Sequence, residues 1–116
     1  MNINKEDLEK FRLLVEKGER ILLINHRRMD WDAYGSLYAF YKILENNGKI
    51  VAATSEDPIP EVYYFLTDER VIDENLDIRA FNPDLIISFD VAWIEQFGKR
   101  YDDYLDVFLR TPIVCI

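Results

Sequence analysis

Residues 21–36 read ILLINHRRMDWDAYGS, and this stretch decides the expected fold. Four consecutive apolar residues open it and predict a strand that is buried on both faces. The only histidine of the chain, His26, follows, and Asp30 and Asp32 come next, before the apolar pattern changes to a helical period. A strand, an acidic loop and a helix start in this order are suited to holding metal ions and phosphate.

The composition is that of one globular domain. The chain has 116 residues, of which 49% are hydrophobic, and this is enough apolar material for a core. The net charge of −8 argues against a surface for long nucleic acid, whereas a small anionic ligand is compatible with bound cations. No apolar run reaches the roughly 20 residues of a membrane span, so we expect no membrane partner. The single cysteine, Cys115, favours a reducing, cytoplasmic setting, and the oligomeric state stays open.

Strand and helix patterns alternate along the rest of the chain. The expected elements are a helix from Asn4 to Gly18, strand 21–24, helix 32–47 closed by Gly48, strand 50–53, a helix that begins at Pro60, strand 85–89, two helical pieces within 92–110 broken near Gly98, and a buried strand at 112–116. Residues 67–83 show no clear pattern beyond a short strand at 71–72. This alternation predicts an α/β fold of three layers, Rossmann-like, with a mostly parallel sheet and helices on both faces.

The strand ends define a candidate metal site. In an open parallel sheet, ligands bind beyond the carboxyl ends of the strands, near the point where the strand order reverses. His26, Asp30 and Asp32 follow the first strand, and Asp90 follows strand 85–89. If these strands are neighbours, one imidazole and three carboxylates converge. This donor set suits Mn²⁺ or Mg²⁺, and less specifically Fe²⁺ or Zn²⁺, in a two-metal site for phosphoryl displacement.

Two further residues are candidates for contact with a substrate. Ser36 lies near the helix start, where backbone N–H groups and the helix dipole favour a phosphate oxygen. Trp31 either stacks on a base or packs against the protein, and packing is the favoured interpretation. Each candidate also has an ordinary structural explanation, since a lone histidine is commonly a surface residue and an Asp-x-Asp after a strand commonly caps a helix.

These motifs resemble those of the DHH phosphoesterase superfamily, which includes RecJ-like nucleases, oligoribonuclease/pAp phosphatases, cyclic-di-AMP phosphodiesterases and family II inorganic pyrophosphatases. The first motif of the superfamily is His-x-x-Pro-Asp-x-Asp-Ala-x-Gly-Ser after an apolar strand, and residues 26–36 are similar to it (HRRMDWDAYGS). The second motif is a strand that ends in aspartate, and residues 84–92 are similar to it (DLIISFDVA). The resemblance extends from about residue 19 to residue 116.

The resemblance implies a role for each of these metal-type residues. His26 and Asp30 would bind the first metal, Asp32 would bind the second, and Asp90 would bridge the two. The implied cofactor is Mn²⁺, with Mg²⁺ as an alternative. The implied activity is hydrolysis of phosphodiester or phosphomonoester bonds in short oligonucleotides or small nucleotides such as pAp or cyclic dinucleotides.

The chain also departs from the family pattern. Met29 stands where proline is typical and Trp31 where a small residue is typical, and the Asp-His-His motif that should follow a strand like 112–116 is not within these residues. We therefore expect residues 1–116 to be the N-terminal portion of a DHH domain, without its C-terminal substrate-binding domain and with about half of the site. Whether the chain alone is an enzyme stays open.

Two alternatives to a metal-dependent phosphoesterase of the DHH type stay open. One is a non-catalytic, degenerate module of the same fold that binds a nucleotide or a partner. A phosphatase of the haloacid dehalogenase type ranks lower, because its Asp-x-Asp directly follows the strand, whereas Asp30 lies six residues beyond Ile24.

Overall fold

The computed structural model describes residues 4–25, 30–89 and 99–116. Within these ranges the elements are, in chain order, α1 Lys5–Lys17, β1 Arg20–Asn25, α2 Trp31–Asn46, β2 Ile50–Ser55, α3 Glu61–Thr67, α4 Ile78–Phe81, β3 Leu85–Phe89, α5 Lys99–Asp103, α6 Leu105–Arg110 and β4 Ile113–Cys115. Strands alternate with helices, so the predicted α/β class is confirmed. None of the helices in these ranges is long and apolar enough to cross a membrane.

The four strands form one parallel sheet in the order β2-β1-β3-β4. The chain adds β2 on one side of β1 and then crosses to the other side to add β3 and β4. The strand order therefore reverses between β1 and β3, and this is where an open parallel sheet forms a ligand crevice at its carboxyl edge. The prediction of a strand buried on both faces is confirmed for β1, because its residues Ile21 to Ile24 are fully buried.

Helices cover both faces of the sheet, and each face has its own core. Ile21 and Leu23 point to the face covered by α1, α2 and α3, whereas Leu22 and Ile24 point to the face covered by α4, α5 and α6. The alternation follows from the two-residue period of a strand. The start of α2 is thereby placed on one face of the sheet, next to the carboxyl edge.

The glycines at the two predicted helix ends differ in conformation. Gly48 has φ +80°, as expected for a left-handed residue after α2. Gly18 was expected, as a glycine at a helix end, to be left-handed too, but its φ is −66°, so this expectation was wrong. A Cβ atom at Gly18 would lie 3.2 Å from the Leu14 carbonyl oxygen and 3.3 Å from Asp84 Oδ1. Close approach of Asp84, which accepts hydrogen bonds from the Glu19 and Arg20 N–H groups, thus explains this glycine.

The second half of the chain differs most from the prediction. Helix α4 lies in the stretch that showed no clear pattern, and Ile72 forms an isolated bridge to Ala53 instead of a strand. Residue Tyr104 separates α5 from α6, whereas residues 90–98, which include the predicted break, lie outside the described residues. Strand β4 pairs with β3 alone among the described strands, and its Cys115 is exposed, so the predicted burial of this strand was wrong.

Candidate active site

A cleft of about 290 Å³ opens at the carboxyl edge of the sheet, where β3 and β4 end and α2 begins. Its polar wall comes from the first turns of α2 and its apolar wall from the strand ends. The lining residues are Asp30, Asp32, Ala33, Ser36, Phe89 and Ile116. The cleft thus contains three of the residues that the sequence singled out, and it lies at the reversal of the strand order. Sequence reasoning missed its apolar wall, although Phe89 directly precedes the predicted ligand Asp90.

Asp30 is held in place by its role as the N-cap of α2. Its backbone is extended, with φ −84° and ψ 175°, and its Oδ1 atom accepts a hydrogen bond of 2.8 Å from the Ala33 N–H group. Aspartate is among the best residues at this position, because its side chain satisfies a backbone donor that the helix leaves unpaired. Among the described residues, Ala33 alone donates a hydrogen bond to the Asp30 carboxylate, and it does so to Oδ1.

Asp32 and Ser36 lie four residues apart in α2 and therefore on the same side of the helix. Both are exposed and both line the cleft. Neither Asp30 nor Asp32 forms an ion pair with a described residue. Two carboxylates that face one cleft repel each other, and a divalent cation removes this repulsion. Their oxygen atoms are the donors that Mn²⁺ and Mg²⁺ prefer, so this pair of side chains fits a metal ion.

The other two predicted ligands, His26 and Asp90, lie outside the described residues. The strands that precede them are neighbours, as their convergence requires. Asn25 at the end of β1 is the register partner of Phe89 at the end of β3, and His26 and Asp90 are the next residues of the sequence. Within residues 4–25, 30–89 and 99–116, no group of three His, Cys, Asp or Glu side chains is placed to hold a metal ion. The four-ligand site therefore stays a prediction.

Trp31 stands between Asp30 and Asp32 in the sequence but does not line this cleft. Its ring contacts Tyr63 of α3 in an edge-on arrangement, with 5.2 Å between the ring centroids, and it contacts Tyr34 at 5.7 Å. Part of the Trp31 side chain is therefore packed against the protein, in agreement with the favoured interpretation. The side chain is nevertheless 43% exposed, whereas Tyr34 beneath it is fully buried.

Buried polar residues concentrate at the carboxyl edge of the sheet, and the sequence analysis did not single them out. Among the described residues, five polar side chains are buried, and four of them lie in the last residues of the strands: Asn25, Thr54, Ser55 and Ser88. Thr54 and Ser88 flank Ile24 in register, and Ser55 is the partner of Asn25. These residues could have been found in the sequence, because a polar residue follows the apolar run near the end of each of the three strands β1, β2 and β3.

A second cleft, of about 340 Å³, lies near the end of β2 and the start of α5. It carries charges of both signs from Glu56, Glu74, Asn75, Lys99, Arg100, Asp103 and Tyr104. The Arg100 guanidinium donates a hydrogen bond to the Leu76 carbonyl oxygen, and the Arg100 N–H group donates to Glu56. Arg100 thus ties α5 to two loops, which is a structural role.

Glu69 holds the outer side of α2 against the segment that follows α3. It accepts hydrogen bonds of 2.8 Å from the Tyr38 hydroxyl and 3.2 Å from Lys42 Nζ. The Tyr38 bond, with help from Lys42, lowers the pKa of the Glu69 carboxyl group, and the bond to Glu69 raises the pKa of Lys42. These bonds help to fix the direction of α2 and thus of its first turn.

No protein-family model matches this chain, and no curated protein matches it. Among solved structures, it is similar to an exopolyphosphatase-related protein from Bacteroides fragilis, with a TM-score of 0.82 and 20% sequence identity. The match covers 98% of this chain and 35% of that chain. The likeness shows a shared fold, and this chain spans little more than a third of the length of its neighbour.

Proposed function

We propose that this chain belongs to a divalent-metal-dependent phosphoesterase of the DHH type that its motifs resemble. One observation carries the proposal: Asp30 and Asp32 line a cleft at the reversal of the strand order, and neither has an ion-pair partner among the described residues. That position is where open parallel sheets bind ligands, and two carboxylates in one cleft are suited to metal ions. The fold shared with an exopolyphosphatase-related protein supports the same class of chemistry.

The proposed cofactor is a pair of Mn²⁺ ions, with Mg²⁺ as the alternative. Asp30 and His26 would hold the first ion, Asp32 the second, and Asp90 both. When bound, such ions supply a water molecule of lowered pKa and neutralise charge on the phosphoryl oxygens. The N-cap bond of Asp30 orients its carboxylate before any ligand arrives.

The other residues of the cleft would bind the phosphate group. Ser36 has a hydroxyl that can donate to a phosphate oxygen, and the start of α2 adds the positive end of the helix dipole. Phe89 and Ile116 present apolar surface on the opposite wall. Exclusion of water by that wall would strengthen the electrostatic interactions of the phosphate.

The proposed substrates are short oligonucleotides or small nucleotides, such as pAp or cyclic dinucleotides. We also propose that residues 1–116 act together with a C-terminal substrate-binding domain, since the chain spans only 35% of its structural neighbour. In this arrangement the chain contributes about half of the site, and the remaining metal ligands come from the rest of the protein.

The test uses the full-length protein and the variant Asp90→Ala. We expect the variant to lose Mn²⁺-dependent hydrolysis of a short oligoribonucleotide, of pAp and of a generic bis-phosphodiester. Asp77→Ala is the matched control, because Asp77 caps α4 away from the cleft and its loss should leave turnover unchanged. Turnover of Asp90→Ala at the wild-type rate would rule out the bridging role.

A non-catalytic module that binds nucleotides is the second candidate. Trp31 favours it, since the family motif has a small residue at this position, whereas here a large ring packs on Tyr63. Calorimetric titration of Mn²⁺ and of AMP into the full-length protein separates the two candidates. Binding of nucleotide without Mn²⁺ binding or hydrolysis would support the module and contradict the phosphoesterase.

A further inference from the structure

An aromatic cluster joins the start of α2 to α3. Tyr34 lies at its centre, fully buried, with ring centroids 5.3 Å from Tyr63 and 6.2 Å from both Tyr38 and Tyr64. Trp31 packs on the outside of this cluster against Tyr34 and Tyr63. The buried rings already provide the packing between α2 and α3, so the cluster does not require the exposed part of the Trp31 ring.

Trp31, whose ring is partly exposed, is the sequence neighbour of both carboxylates that line the candidate phosphate site. Trp31 stands between Asp30 and Asp32 in the sequence, and consecutive Cα atoms are about 3.8 Å apart. Successive side chains of a helix diverge by about 100°, since a turn contains 3.6 residues, and the indole ring accordingly packs toward α3 and is not among the groups that line the cleft. A ligand that is held by Asp30 and Asp32 and extends out of the cleft toward α3 would meet the exposed part of this ring.

The size of the cleft indicates what part of a ligand it holds. Its volume of about 290 Å³ is at the lower end of the range of roughly 300–1,000 Å³ for small-molecule sites. A phosphate with its sugar fits this space, and a base attached to that sugar would extend over the rim. Aromatic side chains at such a rim bind bases by stacking, without dependence on the base sequence.

We propose that Trp31, supported by Tyr63, is a stacking surface for the base of a nucleotide whose phosphate lies in the Asp30–Asp32 cleft. The inference rests on the proposed function, since it assumes a phosphate at those carboxylates. It makes Trp31 a specificity-determining residue: a nucleotide gains binding energy from the ring, whereas inorganic polyphosphate, which has no aromatic face, gains none.

Binding of AMP and of inorganic phosphate to the full-length protein with Mn²⁺ provides the test. The part of the tryptophan emission that comes from Trp31 is the difference between the wild-type protein and the variant Trp31→Phe. AMP should quench this emission and inorganic phosphate should not. In calorimetry, Trp31→Ala should weaken AMP binding by about 5- to 150-fold and leave phosphate binding unchanged.

Two further variants protect the test against a folding defect. Trp31→Leu keeps an apolar side chain against Tyr63 but has no aromatic face, so it should weaken AMP binding as Trp31→Ala does. Trp31→Phe keeps an aromatic face and should recover most of the affinity. Phe65→Ala is the matched control, because Phe65 is 83% exposed on α3 and makes no ring contact among the described residues. Its loss should not change AMP binding.

The possible results separate this inference from the proposed function. If wild-type protein hydrolyses both a dinucleotide and tripolyphosphate, Trp31→Ala should lower kcat/KM for the dinucleotide alone. Equal effects on both substrates, or unchanged AMP binding in Trp31→Ala and Trp31→Leu, would overturn the stacking role and leave the phosphoesterase proposal standing. Quenching by AMP without hydrolysis of any substrate would support the stacking surface and contradict the phosphoesterase. A loss of AMP affinity in Phe65→Ala as large as that in Trp31→Ala would also overturn the inference, because it would indicate a broad apolar contact.

Discussion

Asp30 combines a structural role with a proposed chemical role, and two substitutions can separate them. As the N-cap of α2, its Oδ1 atom accepts the 2.8 Å hydrogen bond from Ala33, and its charge lies at the positive end of the helix dipole. Asp30→Ala removes both contributions and should lower the free energy of unfolding by about 1–2 kcal/mol. Asp30→Asn keeps an equally good capping side chain, so it should cost less than about 0.5 kcal/mol.

Thermal unfolding measures the contribution of Asp30, as the N-cap of α2, to stability. A domain of 116 residues loses about 4 °C in Tm for each 1 kcal/mol, so Asp30→Ala should unfold roughly 4–8 °C below wild type and Asp30→Asn within about 2 °C of it. Calorimetric titration of Mn²⁺ into the full-length protein measures the contribution of Asp30 to Mn²⁺ affinity. Both variants should bind Mn²⁺ at least about 10-fold more weakly, because even the loss of an outer-shell partner costs this much.

Asp77→Ala is the control for Asp30→Ala. Asp77 caps α4 through a 3.1 Å bond from the Ala80 N–H group to its Oδ1 atom, and it does not line the Asp30–Asp32 cleft. Its loss should lower Tm and leave Mn²⁺ affinity unchanged. Wild-type Mn²⁺ affinity in Asp30→Asn would refute the ligand role, and a loss of stability in Asp30→Asn as large as in Asp30→Ala would refute the capping argument.

Two further predictions concern stability. Tyr34→Phe removes the 2.8 Å hydrogen bond between the Tyr34 hydroxyl and Thr67 Oγ1, and it should lower the free energy of unfolding by about 1 kcal/mol. Tyr41→Phe is the control and should change Tm little, because the Tyr41 hydroxyl has no described hydrogen-bond partner. Equal Tm values for the two variants would count against a contribution of the Tyr34–Thr67 bond to stability. The hydrogen bond from Arg79 lowers the pKa of the Asp106 carboxyl group from 3.8 to about 2. The folded state therefore binds fewer protons than the unfolded state near pH 3, so this contribution is fully present above about pH 5 and disappears as the pH falls from about 4 to below 2. The Tm difference between wild type and Asp106→Asn should shrink over that range, and a constant difference would contradict the assignment.

Much of the fold follows from local patterns in the sequence. The four apolar residues of β1 cannot be exposed without a large loss of hydrophobic stabilisation, so they predict a central strand. The helical period after Asp30, with a capping residue before it and Gly48 after it, predicts the bounds of α2 closely. These features depend on neighbours within a few residues, and for this reason one sequence was enough to predict them.

Features that depend on distant parts of the chain were not predictable in this way. Helix α4 has only four residues and too few apolar positions to show a period, and the reason for Gly18 is a carboxylate 66 positions further along. Packing was the favoured interpretation for Trp31, but its partner and its exposed fraction were not predictable, because Tyr63 of α3 lies 32 positions further along the chain.

The residue types and spacing within residues 21–36 predicted which class of chemistry the site could perform, and both are properties of the sequence alone. Whether those residues meet a second strand is a property of the sheet. The parallel pairing of β1 with β3, which makes Asn25 the partner of Phe89, and the cleft walled by Ile116 from beyond β4 arise from long-range pairing that local preferences do not specify. The sequence was thus sufficient for the class of fold and for naming candidate ligands, whereas the neighbouring positions of β1 and β3, the strands that precede them, depended on the order in which the strands assemble.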